Sequence, residues 1–174
     1  METRWKKRQL KGEDMKARVY IETSIPSFYY EARQEPDMVA RRQWTRYWWD
    51  HERRKYELVT SEAVIAELSR GDYSSKDQTL ELIEPLALLD VENPIVEIIE
   101  TYIIRQLMPK DPGGDALHLA LASYHQCDYL LTWNCAHLAN ANKFPHIRRV
   151  NAILGLFIPD IVTPLTLSDR EVLL

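Results

Sequence analysis

The chain has 174 residues, 45% of them hydrophobic and 28% charged, with a net charge of −4. That length and balance suit one α/β domain with a full hydrophobic core, and the acidic charge weighs against a general nucleic-acid coat protein. The longest apolar stretch, Ala152 to Ile158, is too short to span a bilayer, and the charged start METRWKKRQLKGED has no apolar core of a secretory signal.

In chain order, residues 1–14 are polar and aperiodic, which predicts a disordered arm or an over-long start, with Met15 the functional initiator and residues 15–174 one domain. Val19-Tyr20-Ile21, β-branched and aromatic, reads as a buried strand, and Pro26 is expected to interrupt regular structure soon after. From Pro36 to about Lys55 the apolar spacing Ala40, Trp44, Tyr47, Trp48 is helical. Glu57 to Thr60 is a short strand, followed by a helix with Ser61 as N-cap and Gly71 at its close. A further helix spans about Lys76 to Glu84, and Leu86 to Leu89 is a short apolar segment. Ile95, Ile98, Ile99, Tyr102 and Ile103 then form the clearest amphipathic stripe. Asp111-Pro112 reads as an N-cap followed by proline at the first helical position, opening a helix to about Gln126. Tyr129 to Thr132 is a strand, His137 to Leu156 is mixed helical, and Asp160 to Thr163 is a candidate edge strand. Helices alternating with short buried strands predict a central parallel sheet wrapped on both faces, a three-layer α/β/α fold.

In such folds function gathers at the carboxyl ends of the strands. Glu22 ends RVYIE, Asn134 follows YLLT, Glu67 borders the apolar face of SEAVIAEL, and Asp115 sits in the first turn of its helix. Each alone has an ordinary reading as a surface or turn residue. Together, three carboxylates converging on one cleft would repel strongly unless a cation lay between them. Oxygen donors point to Mg²⁺ or Mn²⁺ rather than zinc, and such an ion suits phosphodiester hydrolysis.

The blocks YIETSIPSFY, SEAVIAEL, GGDALHLALA and YLLTWNCAHLAN resemble, in order and spacing, those of PIN-domain proteins and are similar to VapC-type toxins. The resemblance runs from about Arg18 to Pro164. It implies the α/β/α fold and a metal-dependent ribonuclease, the toxin of a toxin–antitoxin pair, with an RNA substrate and a cognate antitoxin. It carries the family's acidic quartet onto Glu22, Glu67, Asp115 and Asn134, with Glu22, Glu67 and Asp115 as metal ligands. Thr23, Ser24 and Thr132 match the family's hydroxyl positions. Two positions depart from the pattern: Glu22 stands where an aspartate is usual, and the neutral Asn134 stands where a fourth acid is usual.

Other classes recede. His118, His125, Cys127, Cys135 and His137 crowd one region, but their spacing fits no common zinc module, and structural roles are expected for them. With five glycines there is no phosphate-cradling GxGxxG and no GxSxG elbow. The rival reading is a PIN fold acting as a non-catalytic RNA- or protein-binding module, favoured by Asn134; a nuclease of structured DNA is a further alternative. Two cysteines and no disulfide framework suit a cytoplasmic location. The basic clusters Lys6-Lys7-Arg8, Arg41-Arg42-Arg46, Arg53-Arg54-Lys55 and Arg148-Arg149 read first as solvated faces. Trp44, Tyr47, Trp48 and Trp49 put more aromatic surface on one helix than a single core-facing stripe needs, which predicts a homodimer interface there.

Overall fold

Val19, Tyr20 and Ile21 point alternately to the two faces of a strand, yet all three are fully buried, so both faces are covered. A computed structural model, describing residues 16–111 and 114–169, places this strand, β1 (Arg18–Ile21), at the centre of a five-stranded sheet. Its neighbours are β2 (Glu57–Ser61) and β4 (Tyr129–Leu131), with β3 (Ala87–Leu89) and β5 (Asp160–Val162) outside them, in the order β3-β2-β1-β4-β5. Every pairing is parallel, and Tyr20 lies opposite Val59 on one side and Leu130 on the other.

The chain steps outward from β1 through β2 to β3, then returns to the far side of β1 as β4 and β5. Among the described residues, seven α-helices are present: α1 (Ser24–Tyr29), α2 (Pro36–Tyr47), α3 (Glu62–Ser69), α4 (Lys76–Ile83), α5 (Asn93–Ile104), α6 (Asp115–Tyr124) and α7 (Phe144–Leu154). Helices separate the successive strands, and the burial of both faces of β1 shows the sheet covered on both sides, as three layers require. The direction reverses between β1 and β4, and in sheets of this kind ligands bind beside the carboxyl ends of the strands at such a point.

Local chemistry explains most boundaries. The predicted stripe on α5 buries Ile95, Ile98, Ile99 and Tyr102. Gly155 ends α7 in a left-handed conformation, φ 65°, which costs glycine little. Three expectations are corrected. Pro26 does not interrupt structure; it lies in the first turn of α1, where its missing N–H had no helical partner to lose. α6 begins at Asp115 with Gly114 at its N-cap, not at Asp111. Ser61 occupies the N-cap position of α3, but its hydroxyl bonds to the Tyr20 hydroxyl at 2.8 Å and makes no cap. The expected arm over residues 1–14, the choice between Met1 and Met15, and Pro112 lie outside the described residues.

The tryptophan-rich segment also differs from expectation. α2 passes at Tyr47 into a π turn, Trp48–Glu52, and then a 3-10 turn, Arg53–Lys55. Trp48 and Trp49 are both buried within the chain. Trp48 stacks on Tyr56 at 5.8 Å between ring centroids, while Trp49 meets Tyr29 and lies beneath the Arg53 guanidinium. Two adjacent indoles that would diverge by about 100° on an α-helix thus find two separate buried neighbours. Trp48 and Trp49, two of the four aromatics behind the expected dimer interface, are thus covered within the chain, while Trp44 and Tyr47 are half-buried.

Candidate functional site

The site grows from the end of β1. Glu22 follows the last residue of the strand and is only 6% exposed. Its Oε2 accepts hydrogen bonds from the backbone N–H and hydroxyl of Ser24 and from the Thr132 hydroxyl at 2.7 Å. Each of those hydroxyls is oriented in turn by a backbone N–H: Trp133 donates to Ser24 at 2.8 Å, and Asn134 donates to Thr132 at 2.9 Å. A single carboxylate oxygen is therefore gripped by the loops after β1 and β4, on either side of the switch point.

Glu67 comes from α3, the helix after β2. Its carboxylate accepts a bond from the Thr23 hydroxyl and lies 3.2 Å from Nε2 of His118 on α6. The His118 ring is buried, and its Nδ1 is 2.8 Å from the hydroxyl of Tyr20. A relay Ser61–Tyr20–His118–Glu67–Thr23 thus runs across the carboxyl ends of β1 and β2. Burial alone would lower the pKa of His118, but the bond to Glu67 and the charges of Glu22, Glu67 and Asp115 outweigh it and raise the value. For Glu67 burial pushes upward, yet His118 and Thr23 hold its pKa below the usual carboxylate value.

Asp115 stands at the first position of α6 and is half-buried. Its Oδ1 accepts a bond from Nδ2 of Asn134 at 2.7 Å, while Oδ1 of Asn134 accepts the backbone N–H of His137 at 3.1 Å. Burial raises the Asp115 pKa, against the pull of His137, His118 and Asn134.

Of the four residues singled out in the sequence, then, the structure brings Glu22 and Glu67 together with His118, and Asp115 together with Asn134. Thr132 joins the two groups through its bonds to Glu22 and Asn134. Glu22, Glu67 and His118 each bring one ligand-capable atom into a cluster whose members all lie within 4.8 Å of one another. Both nitrogens of His118 already face hydrogen-bond partners, so its role is best read as orienting Glu67 and offsetting charge, as partners of metal ligands do. The donors that remain are carboxylate oxygens, and these fit a hard divalent cation.

His118 and Tyr20 are the residues that sequence reasoning missed. Tyr20 looked like strand core, and His118 was given a structural role. One signal was present: His118 lies three residues after Asp115, so the two share a face of α6. His125, by contrast, bonds the Asp90 carbonyl at 2.8 Å, Cys127 is buried in the core, and Cys135 is exposed.

A parallel sheet with acidic side chains at its switch point defines a class of α/β protein with a candidate metal site. The comparison with family profiles is more specific: the PIN domain matches residues 19–134. The chain belongs to the PIN-domain family, whose members are typically metal-dependent nucleases. No curated protein and no solved structure matches it significantly. Among the described residues, no helix is long and apolar enough to cross a membrane.

Proposed function

We propose that this chain is an endoribonuclease that hydrolyses RNA phosphodiester bonds with Mg²⁺ or Mn²⁺, and that it is the toxin of a toxin–antitoxin pair of the VapC type. The observation that carries the reading is the gathering of Glu22 and Glu67 beside a buried His118 at the carboxyl ends of β1 and β2, with Asp115 and Asn134 linked to them through Thr132. Glu22, Glu67 and Asp115 are the ligands in this reading, and Thr23, Ser24 and Thr132 hold those ligands in place. A divalent ion bound there would acidify a water and offset charge on the scissile phosphate. The protein's own part is orientation. Ser24 and Thr132 fix one oxygen of Glu22, His118 and Thr23 fix Glu67, and Asn134 steadies Asp115.

The same reading carries a cognate antitoxin, a cytoplasmic location, a homodimer, and residues 15–174 as one domain. A small DNA-binding protein encoded immediately upstream would support the toxin role, and light scattering reads the oligomeric state. The test of the chemistry is cleavage of single-stranded RNA by the purified protein with Mn²⁺, its loss in chelator, and its loss in Glu67→Gln. Intact RNA with both Mg²⁺ and Mn²⁺ would favour the second reading, a non-catalytic binding module. Asn134 is the feature that favours that alternative, since its amide brings no charge to the site.

A further inference from the structure

Three arginines on α2 face α1, and they are used differently. Arg42 donates to the Glu31 carbonyl at 2.8 Å, and Arg46, whose guanidinium also lies 5.5 Å from the Tyr29 ring centroid, donates to the Tyr29 carbonyl at 2.8 Å, so both bond the backbone at the end of α1 or just after it. Arg41 is held by aromatic rings instead. Its guanidinium carbon lies 5.4 Å from the centroid of Phe28 and 5.6 Å from that of Trp133. Trp133 is itself fixed: its indole N–H bonds Thr45 on α2 at 2.7 Å, and its backbone N–H bonds Ser24. Among the described residues, no carboxylate or carbonyl accepts a hydrogen bond from the Arg41 side chain.

We propose that Arg41 is a phosphate-binding residue for the RNA strand, contacting a backbone phosphate next to the scissile one. This rests on the ribonuclease reading. Attraction to ring faces positions a guanidinium without consuming the N–H groups at its edge, and that planar fork matches phosphate oxygens. The location fits. Trp133 lies between Thr132, which bonds Glu22, and Asn134, which bonds Asp115, so Arg41 is packed against the loop that links the two groups of the site. The gathered carboxylates repel a polyanion, and a cation held against that loop would offset the repulsion at a defined place along the strand. An exposed, freely rotating lysine would supply charge without that position.

The test is the salt dependence of a short single-stranded RNA, read as anisotropy in chelator and as kcat/KM with Mn²⁺. Arg41→Gln should lower the slope of log affinity against log salt by about 0.7, the value for one phosphate contact on a single strand. Its melting temperature should fall only slightly, from the lost ring contacts, and its stabilisation by Mn²⁺ should match the wild type. Arg42→Gln, the charge-matched control, should change the slope less. Arg41→Lys should keep the slope and bind a few-fold more weakly, because the charge stays and the fork is lost. If Arg41→Gln unfolds, Arg41→Lys decides alone, and wild-type affinity in it overturns the proposal. An unchanged slope in folded Arg41→Gln overturns the Arg41 contact while the nuclease reading stands. A wild type that neither binds nor cuts RNA overturns both.

Discussion

Two buried polar networks share helix α6, and only one of them has the chemistry of a site. Toward the end of the helix, Ser123 meets Tyr102 of α5 and Asn151 of α7. Tyr102 donates to Oδ1 of Asn151 at 2.6 Å, and Nδ2 of Asn151 bonds Ser123 at 2.9 Å and the Phe157 carbonyl at 3.0 Å. All three residues are buried, every member is neutral, and each partner satisfies another. Near the start of the helix, Asp115 and His118 belong to a network holding Glu22 and Glu67 as well. Glu22 and Glu67 lie with the His118 imidazole in one cluster, and Asp115 is linked to it through Asn134 and Thr132. This network, unlike the first, is built from ionisable groups, with Arg70, His137 and Lys143 acting on it from outside. Burial of polar groups is thus no mark of function by itself; the mark is a gathering of ionisable groups.

That contrast breaks most visibly at Asp115. Asp115→Asn should reduce Mn²⁺-dependent cleavage on the order of 10²–10³-fold, the usual cost of removing one positioned electrostatic group. It should also remove most of the stabilisation that Mn²⁺ gives by binding the folded state, and leave the metal-free protein as stable as the wild type or more so. Thermal melts with and without Mn²⁺ read both; an undiminished metal response would take Asp115 out of the site. Asn151→Ala should do the reverse. It strands Tyr102, Ser123 and the Phe157 carbonyl, and costs about 2–4 kcal/mol by urea unfolding. The Mn²⁺ response should be unchanged. A mutation in the neutral network that altered metal binding would show that the two networks are not separate.

The neutral network can also be addressed by pH. Burial pushes the Tyr102 hydroxyl from its ordinary 10.0 up to about 12, with its bonds to Ser123 and Asn151 pulling the other way. Below pH 10 both folded and unfolded chains keep this proton. Between pH 10 and 12 only the unfolded chain releases it, so the folded state loses about 2–3 kcal/mol as pH rises across that window. Tyr102→Phe has no proton to lose and should flatten this part of the alkaline stability curve. An equal slope in the variant would assign the loss to another group.

Much of this was legible in the sequence because it depends on short-range pattern. The strand Val19–Ile21 and the stripe on α5 follow from periodicity and Glu22 from its place after a strand, whereas the resemblance to PIN-domain proteins is what assigned Glu67 and Asp115 to the site. His118 was not legible, because its partners Tyr20 and Glu67 are 98 and 51 residues away in the chain. Trp48 and Trp49 misled for a related reason. Helical geometry gives their divergence, but not the π turn, Tyr56 and Tyr29 that receive them. The start of α6 was read too early because Asp111-Pro112 carries a strong local signal; the helix opens instead at Gly114-Asp115, with Asp115 bonded to Asn134.

The finest test lies where the two kinds of network meet, at Asn134. Its amide does what the neutral network does, giving one hydrogen bond to Asp115 and accepting one from the His137 N–H. By the resemblance to PIN-domain proteins it also stands where a fourth acid is usual. Asn134→Asp would keep the acceptor for His137 but remove the donor to Asp115, setting two carboxylates within hydrogen-bonding distance with no proton between them. Without metal the variant should lose about 1 kcal/mol, since like charges at such a distance in a half-buried site repel by at least that amount. With Mn²⁺ the order should invert. The added charge should tighten binding, and the variant should gain more in melting temperature than the wild type does. Calorimetric titration separates this from a purely local role in the turn, where aspartate would cap equally well. Identical Mn²⁺ affinity and stoichiometry in both proteins would place Asn134 with the neutral residues, as a support for Asp115 outside the metal's reach.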